Sequence, residues 1–242
     1  QIKEGLKVTP EGISTNSITK PGYFKKYEGR LYGLTGTLGN ATTHKFLTDM
    51  YGVDMITIPP YKHREILGNG HSRYLCKELL PKLATTQAAW YDAITESVLR
   101  AARHGQAVLV ICNYIDQVHH LQERLAAEYD AKKVFVYTGE KTFERPQVDM
   151  GEIVLGTNIA GRGTDLTTST AVENHGGLHV CITFLPPSYR VELQNAGRTA
   201  RQGKKGTAQL VLRTANEETL QTLRAKRDER ENKAIEKARR DV

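Results

Sequence analysis

From about residue 85 onward, the apolar residues of this chain switch repeatedly between two spacings. Tyr91, Ile94, Val98 and Ala102 recur at helical intervals, with Thr85 or Thr86 placed to cap the start and Gly105 to close the end. Ala107 to Cys112 is then apolar without a break, as in a buried strand. A second helical pattern follows, with Val118, Leu121 and Leu125 on one face and Asn113 or Asp116 as its cap. Further strands are predicted at Lys133–Tyr137, at 152–155 and at Leu178–Phe184, with a loop running through Pro146. Pro187-Ser188 opens another helix, and Thr207–Leu212 is the last strand. Strand and helix in alternation predict an α/β fold, a parallel sheet with covering helices.

The flanks read differently. Gly5, Pro10, Gly12, Pro21 and Gly22 leave no room for a long helix, so residues 1 to about 30 are expected to be strands and turns. Leu31 to Thr37 ends in Thr35-Gly-Thr37, which taken alone is a strand-ending turn with a helix cap. A short helix (His44 to Tyr51) and a strand (Asp54 to Ile58) follow, stopped by Pro59-Pro60. Tyr61 to Gly70 is polar and basic, a linker or an exposed strand edge. We therefore expect three parts, a short irregular α/β segment over 1–60, a main domain over 61–214 and a charged helix over 215–242. In that last part few apolar residues follow Leu220 and Leu223, and Glu229 with Lys233 and Glu236 with Arg240 stand at i,i+4.

Composition narrows this picture only a little. Of 242 residues, 39% are hydrophobic and 25% charged, which is ordinary for a globular chain with ample core. No apolar run reaches the length of a membrane span, and no signal peptide opens the sequence. The expected location is cytoplasmic, and a start at Gln1 is expected to mark a piece of a longer protein. The net charge of +7 would suit nucleic acid. However, Arg224–Val242 alone carries eight Lys and Arg against five Asp and Glu, a mixed pattern typical of a solvated helix. Cys76, Cys112 and Cys181 stand singly and read as reduced core residues. His119, His120, His175 and His179 read as ordinary surface or core residues rather than metal ligands, and Asn40-Ala-Thr42 is a sequon with no sign of secretion.

The candidate chemistry lies in two stretches. In Gln194–Gly203, Arg198 and Arg201 are three residues apart and share a face if the segment is helical. Two converging guanidinium groups suit an anion of spread charge, such as a phosphoryl group in transfer. About 30 residues earlier, Val154–Leu166 reads as a strand running into a turn rich in Gly, Thr and Asn. There Gly156, Gly161 and Gly163 allow close backbone approach to a ligand, and Asp165 offers an acceptor for a ribose hydroxyl or a metal-bound water.

Together these stretches resemble motifs V and VI of superfamily 2 helicase-like ATPases. More narrowly, Thr157-Asn-Ile-Ala-Gly-Arg-Gly-Thr-Asp165 and Gln194-x-x-Gly-Arg-x-x-Arg-Gln-Gly203 are similar to the SecA preprotein-translocase versions. Ile18–Phe24, Thr35-Gly-Thr37 as motif III, Val108–Cys112 as motif IV and Gly176-Gly-Leu-His-Val180 extend the likeness over about residues 1 to 212. The resemblance implies a RecA-like sheet with helices on both faces, preceded by the end of a first RecA-like motor domain. It implies ATP bound between the two domains, with Arg198 and Arg201 as arginine fingers and Gly161, Arg162, Gly163, Thr164, Asp165 and Gln194 at the nucleotide. No Gly-x-x-x-x-Gly-Lys-Ser/Thr and no Asp-Glu-x-Asp/His occurs in the chain, so Mg2+ would be held mainly by the other motor half and this half would be inactive alone. Expected partners are the first motor domain and a polypeptide, with any membrane association through other domains.

The likeness has departures. Ile182–Ser188 differs from the bacterial run at that place, the segment between motif V and Gly176 is short, and Lys204 stands where an acidic residue is usual. Arg198 could instead salt-bridge Asp165 or Glu192, leaving Arg201 as the one finger. Two other functions fit parts of the sequence, the second domain of a nucleic-acid helicase and a non-catalytic binding module. Mixed charge over about 107–140 speaks against the first, and Asp165, Arg198 and Arg201 speak against the second.

Overall fold

Unbroken apolar runs become the middle of a parallel sheet, and segments with helical spacing lie on its two faces. The computed structural model describes residues 17–59, 76–137, 147–158, 166–216 and 218–240. In chain order the elements are α1 (Lys20–Lys25), α2 (Ala41–Tyr51), β1 (Cys76–Glu78), β2 (Lys82–Ala84), α3 (Gln87–Arg103), β3 (Ala107–Cys112), α4 (Ile115–Glu128) and β4 (Val134–Tyr137). They continue with β5 (Gln147–Val148), β6 (Ile153–Thr157), β7 (Thr167–Thr168), α5 (Thr170–Asn174), β8 (Leu178–Ile182), α6 (Tyr189–Ala196), β9 (Gly206–Arg213) and α7 (Leu220–Arg240). The main sheet has the order β1-β9-β8-β3-β6-β4, with β2 paired further along β9. Every pairing is parallel.

Strand β3 lies between β6 and β8, with Val108 opposite both Ile153 and His179. All six of its residues are buried, which explains why no polar residue alternates through Ala107–Cys112. On one face α3 and α4 press Trp90, Ile94, Val98, Leu121 and Leu125 onto Val108, Val110, Ile153 and Leu155. On the other, Val172 of α5, Ala196 of α6 and Leu220 and Leu223 of α7 meet Leu109, Ile111, Val154, Val180 and Leu210. Each large apolar side chain so buried is worth about 1.5–3 kcal/mol relative to exposure. A parallel sheet covered on both faces is the RecA-like α/β arrangement expected from the sequence.

One polar chain crosses the first core. Gln106 Nε2 donates to Thr207 Oγ1 (3.3 Å), which lies 2.7 Å from His179 Nδ1. His179 Nε2 is 3.2 Å from Ser97 Oγ, which donates to Gln209 Oε1 (2.5 Å), and Gln209 Nε2 donates to the Leu80 carbonyl (2.7 Å). Because the Ser97 hydrogen goes to Gln209, His179 donates from Nε2, and in the neutral ring Nδ1 accepts from the Thr207 hydroxyl, so both nitrogens are paired. Burial, aided by the positive charge of Arg100, pushes its pKa down to about 4. His179 is thus a satisfied core histidine. Cys112 and Cys181 are buried free thiols, and burial pushes the Cys112 pKa up to about 12.

One local expectation is narrowed and several others need correction. Thr86 is the cap of α3, its hydroxyl accepting from the Ala89 N–H. At α4 neither Asn113 nor Asp116 caps through its side chain, and Gln117 Oε1 reaches back to accept from the N–H groups of Asn113 (3.1 Å) and Tyr114 (3.3 Å). Residues 20–25 form a helix where turns are expected, since Thr19 caps it and Pro21 falls in the first turn, where a missing N–H is harmless. Helix α2 starts three residues early because Asn40 Oδ1 accepts from the Thr43 N–H (2.9 Å). Asp54–Ile58 forms no strand and joins no sheet among the described residues, and Ile56 and Ile58 are 87% and 80% exposed. The stretch over 17–59 is therefore helix and loop, not α/β. The loop through Pro146 and the basic stretch Tyr61–Gly70 lie outside the described residues.

Candidate functional site

Helix α6 begins at Ser188, whose hydroxyl accepts from the Val191 N–H, and it stops at Ala196. Arg198 and Arg201 therefore do not share a helical face. They sit on a loop that leaves α6 with a bond from the Gly197 N–H to the Leu193 carbonyl (2.8 Å). The loop turns at Ala200, the single non-glycine among the described residues with positive φ (54°), and winds into a 3-10 turn over Arg201–Gly203. Sequence spacing could not reveal this, because the helix end is set by what the loop rests on.

That support is specific. Thr199, buried, donates from Oγ1 to the Leu178 carbonyl at the start of β8 (2.6 Å). A side chain at Gly206 would overlap Thr199 Oγ1, and one at Gly177, whose φ is +76°, would overlap the Lys205 carbonyl oxygen. The loop thus lies against two glycines with no space for a Cβ, and Ala200 is held in its left-handed conformation by contacts on either side.

Beside this loop is a narrow crevice open to solvent, bounded by the apolar Leu109, Val154 and Leu166, by Arg198 and Arg201, and by Ile111, Tyr137, Gly156 and Thr157. The last four come from the carboxyl ends of β3, β4 and β6, the end of an open parallel sheet at which ligands bind. The structure thus brings the two arginines together at one cleft. Arg201 is braced by a bond from its Nε to the Gly197 carbonyl (3.1 Å). Gln194, on α6, donates from Nε2 to Thr37 Oγ1 (3.0 Å) and so ties the Gln194–Gly203 stretch to Thr35-Gly-Thr37. Within that tripeptide the Thr35 hydroxyl accepts from the Thr37 N–H (3.2 Å) and donates to the Thr37 carbonyl (3.0 Å). Gly156 belongs to β6, where its missing side chain lets the Tyr137 carbonyl come close, so the approach it allows is between strands. Gly161, Arg162, Gly163, Thr164 and Asp165 lie outside the described residues.

Glu192 does not reserve itself for Arg198. Its two carboxylate oxygens are paired with Arg227 Nη1 and Arg224 Nη2, both from α7. Glu192 and Arg227 are each 5% exposed, so this ion pair fixes the first half of α7 onto α6 inside the protein. The far end of α7 is joined to α2 by Arg239 and Asp49. Glu229 bridges Lys233 as the spacing suggests, whereas Glu236 lies 4.0 Å from Arg239 in place of the expected Arg240. The sequence reading missed Tyr137 and the role of α7. Arg224 and Arg227, three apart on one helix, were the available signal, hidden among the other charges of the tail.

Chemically, the described part of the cleft has apolar walls, and its polar side chains are Arg198, Arg201, Tyr137 and Thr157, with no carboxylate among them. No group of three or more His, Cys, Asp or Glu suited to a metal occurs among the described residues. Among the described residues, the two guanidinium groups suit phosphate oxygens, and no carboxylate is present to hold Mg2+. Among the described residues, two buried amide atoms have no hydrogen-bond partner on the elements that border the cleft, Asn158 Oδ1 just after β6 and Asn195 Nδ2 on α6. No helix of the described residues is long and apolar enough to cross a membrane.

Over 215 residues, 88% of its length, the chain is 32% identical to the protein translocase subunit SecA of Clostridium perfringens. The chain is SecA-like. It is also 32% identical over 225 residues to the SecA 2 protein of Geobacillus thermodenitrificans. It spans about a quarter of each SecA relative, 24% and 26% respectively. No family model matches the chain. Among solved structures, domain 2 of the DEAD-box helicase Mss116p bound to an RNA duplex aligns at a TM-score of 0.42 and 15% identity, covering 56% of this chain and 54% of that one.

Proposed function

We propose that this SecA-like chain forms one wall of an ATP cleft in a motor that moves or remodels polypeptide, with Arg198 and Arg201 meeting the terminal phosphate. The supporting observation is that a single braced loop carries both arginines to one cleft at the carboxyl ends of β3, β4 and β6. The other wall, the Mg2+ site and the group orienting water belong to a first RecA-like motor domain, so the 242-residue chain should not turn over ATP alone. Gly161–Asp165, which come shortly after β6 in the sequence, would complete the nucleotide side of the cleft. The Gln194–Thr37 bond gives this wall a contact with the segment attributed to the first domain. Opening of the cleft would then be felt at the helix that carries the arginine loop.

An arginine acting only when the cleft is closed is worth about 10³–10⁵ in rate. The test is ATP turnover by the longest natural chain containing this segment, with and without Arg201→Ala. A loss of at least about a hundredfold with nucleotide still bound is expected. Unchanged turnover would remove the motor assignment. The protein would work in the cytoplasm, and any contact with a membrane would be made by other parts of the full-length chain.

A further inference from the structure

The far side of the arginine pair holds a second hollow. Arg198 and Arg201 line it as well, together with Thr168, Glu173, Lys204 and Lys205, around about 410 Å³ of space open to solvent. Four of its described side chains are cationic and one is acidic. Both oxygens of that acid are engaged, Glu173 Oε1 by the Thr168 hydroxyl and Oε2 by the Lys205 N–H (3.2 Å). The Lys204 N–H donates to the Arg201 carbonyl (3.0 Å) and closes the 3-10 turn, which fixes Lys204 relative to the arginine. Its ammonium reaches Thr168, with Nζ 3.3 Å from the hydroxyl and 3.4 Å from the carbonyl oxygen. Both are neutral acceptors, so this contact orients the ammonium without cancelling its charge.

We infer that Lys204 is the main cation of a second phosphate subsite, behind the arginine loop and sharing Arg198 and Arg201 with the cleft in front. The assignment rests on the phosphate-facing cleft proposed above. A phosphate dianion in this hollow gains an ammonium held on a rigid turn and the two arginines, and the Glu173 carboxylate is turned to other donors. One subsite would suit either the terminal phosphate of a bound nucleotide or orthophosphate leaving the cleft. In both cases an arginine loop touched from two sides would respond to whether phosphate is still present.

The experiment is calorimetric titration of the 242-residue chain with orthophosphate and, separately, with ATP. It compares the unsubstituted protein with Lys204→Gln, Lys204→Arg, Thr168→Val and Arg201→Ala, each checked by a thermal melt. Lys204→Gln is expected to weaken phosphate binding about tenfold, the loss of one charge-assisted contact. Lys204→Arg should stay within about threefold of the unsubstituted protein, whereas Thr168→Val, which releases the Glu173 carboxylate and the ammonium together, should bind more weakly. Dependence on Lys204 with orthophosphate marks a site for released phosphate; dependence with ATP alone marks the nucleotide's own terminal phosphate. If Lys204→Gln binds both probes normally while Arg201→Ala does not, the second subsite is refuted and the cleft assignment stands. If Arg201→Ala also binds normally, the cleft assignment fails and the subsite with it. Should Lys204→Gln fail to fold, a loss of about tenfold in the charge-keeping Lys204→Arg would show that Lys204 is only a tether and overturn the inference.

Discussion

Replacing Glu192 with alanine tests how α7 is attached to the helix that carries the arginine loop. Arg227 is 5% exposed and faces Glu192, with Asp228 as its second anionic contact at 2.7 Å. Removing one member of a buried ion pair typically costs about 3–5 kcal/mol, because the remaining charge is left uncompensated. Asp228 is 42% exposed and lies beside the guanidinium, so part of the charge stays neutralised and the loss should fall near the lower end, about 3 kcal/mol. Arg224, 33% exposed, can turn to water and adds little. For a protein of this size, about 3 kcal/mol corresponds to a fall in melting temperature of roughly 6–12 °C. Thermal unfolding measures the loss, and hydrogen exchange should show Leu220–Arg227 losing protection before the strands do. Replacing the pair together, Glu192→Leu with Arg227→Met, should recover most of the stability, since two apolar side chains can fill the same volume without a buried charge. A loss under about 1 kcal/mol in Glu192→Ala, or no recovery in the double variant, would refute this account of the pair.

His179 gives a pH dependence of definite sign. Its folded pKa of about 4 lies below the ordinary 6.5, so its contribution is fully present above pH 6.5 and is lost as pH falls through the window from 6.5 to 4, by about 3 kcal/mol in all. Denaturant unfolding at pH 7.5, 5.5 and 4 measures this, and an imidazole resonance titrating near 6.5 in the folded protein would contradict it. Gly177→Ala puts a Cβ onto the Lys205 carbonyl at a positive φ, so a loss of about 2–4 kcal/mol and displacement of the arginine loop are expected in the melt and the crystal structure. Trp90→Phe removes the donor to the buried Val211 carbonyl (2.9 Å), and chemical denaturation should show about 1–3 kcal/mol lost. Arg239→Ala breaks a partly exposed pair with Asp49 and should change the melt by less than about 1 kcal/mol.

The elements of the sheet domain were legible because their signals are local. Ala107–Cys112 emerged at its predicted bounds, and the faces of α3 and α4 followed from Ile94, Val98, Leu121 and Leu125, since a 3.6-residue spacing of apolar side chains has one stable use against a sheet. Asp54–Ile58 looked equally like a strand. A strand also needs a neighbour to accept its hydrogen bonds, and no spacing within five residues supplies one. At the candidate site the sequence named Arg198, Arg201 and Gln194, because their types and spacing match a known motif. It placed the two arginines on one helix, whereas the helix ends at Ala196 and a loop delivers them. That outcome depends on Thr199 reaching the Leu178 carbonyl, a contact between residues 21 apart in the sequence, and on Gly177 and Gly206 lying beneath the loop. The same holds for Glu192, which chose Arg224 and Arg227 more than 30 residues away. Periodicity and residue type are properties of neighbours along the chain and can be read there. Which carboxylate meets which guanidinium, and where a helix must stop, is fixed by distant segments competing for the same buried space.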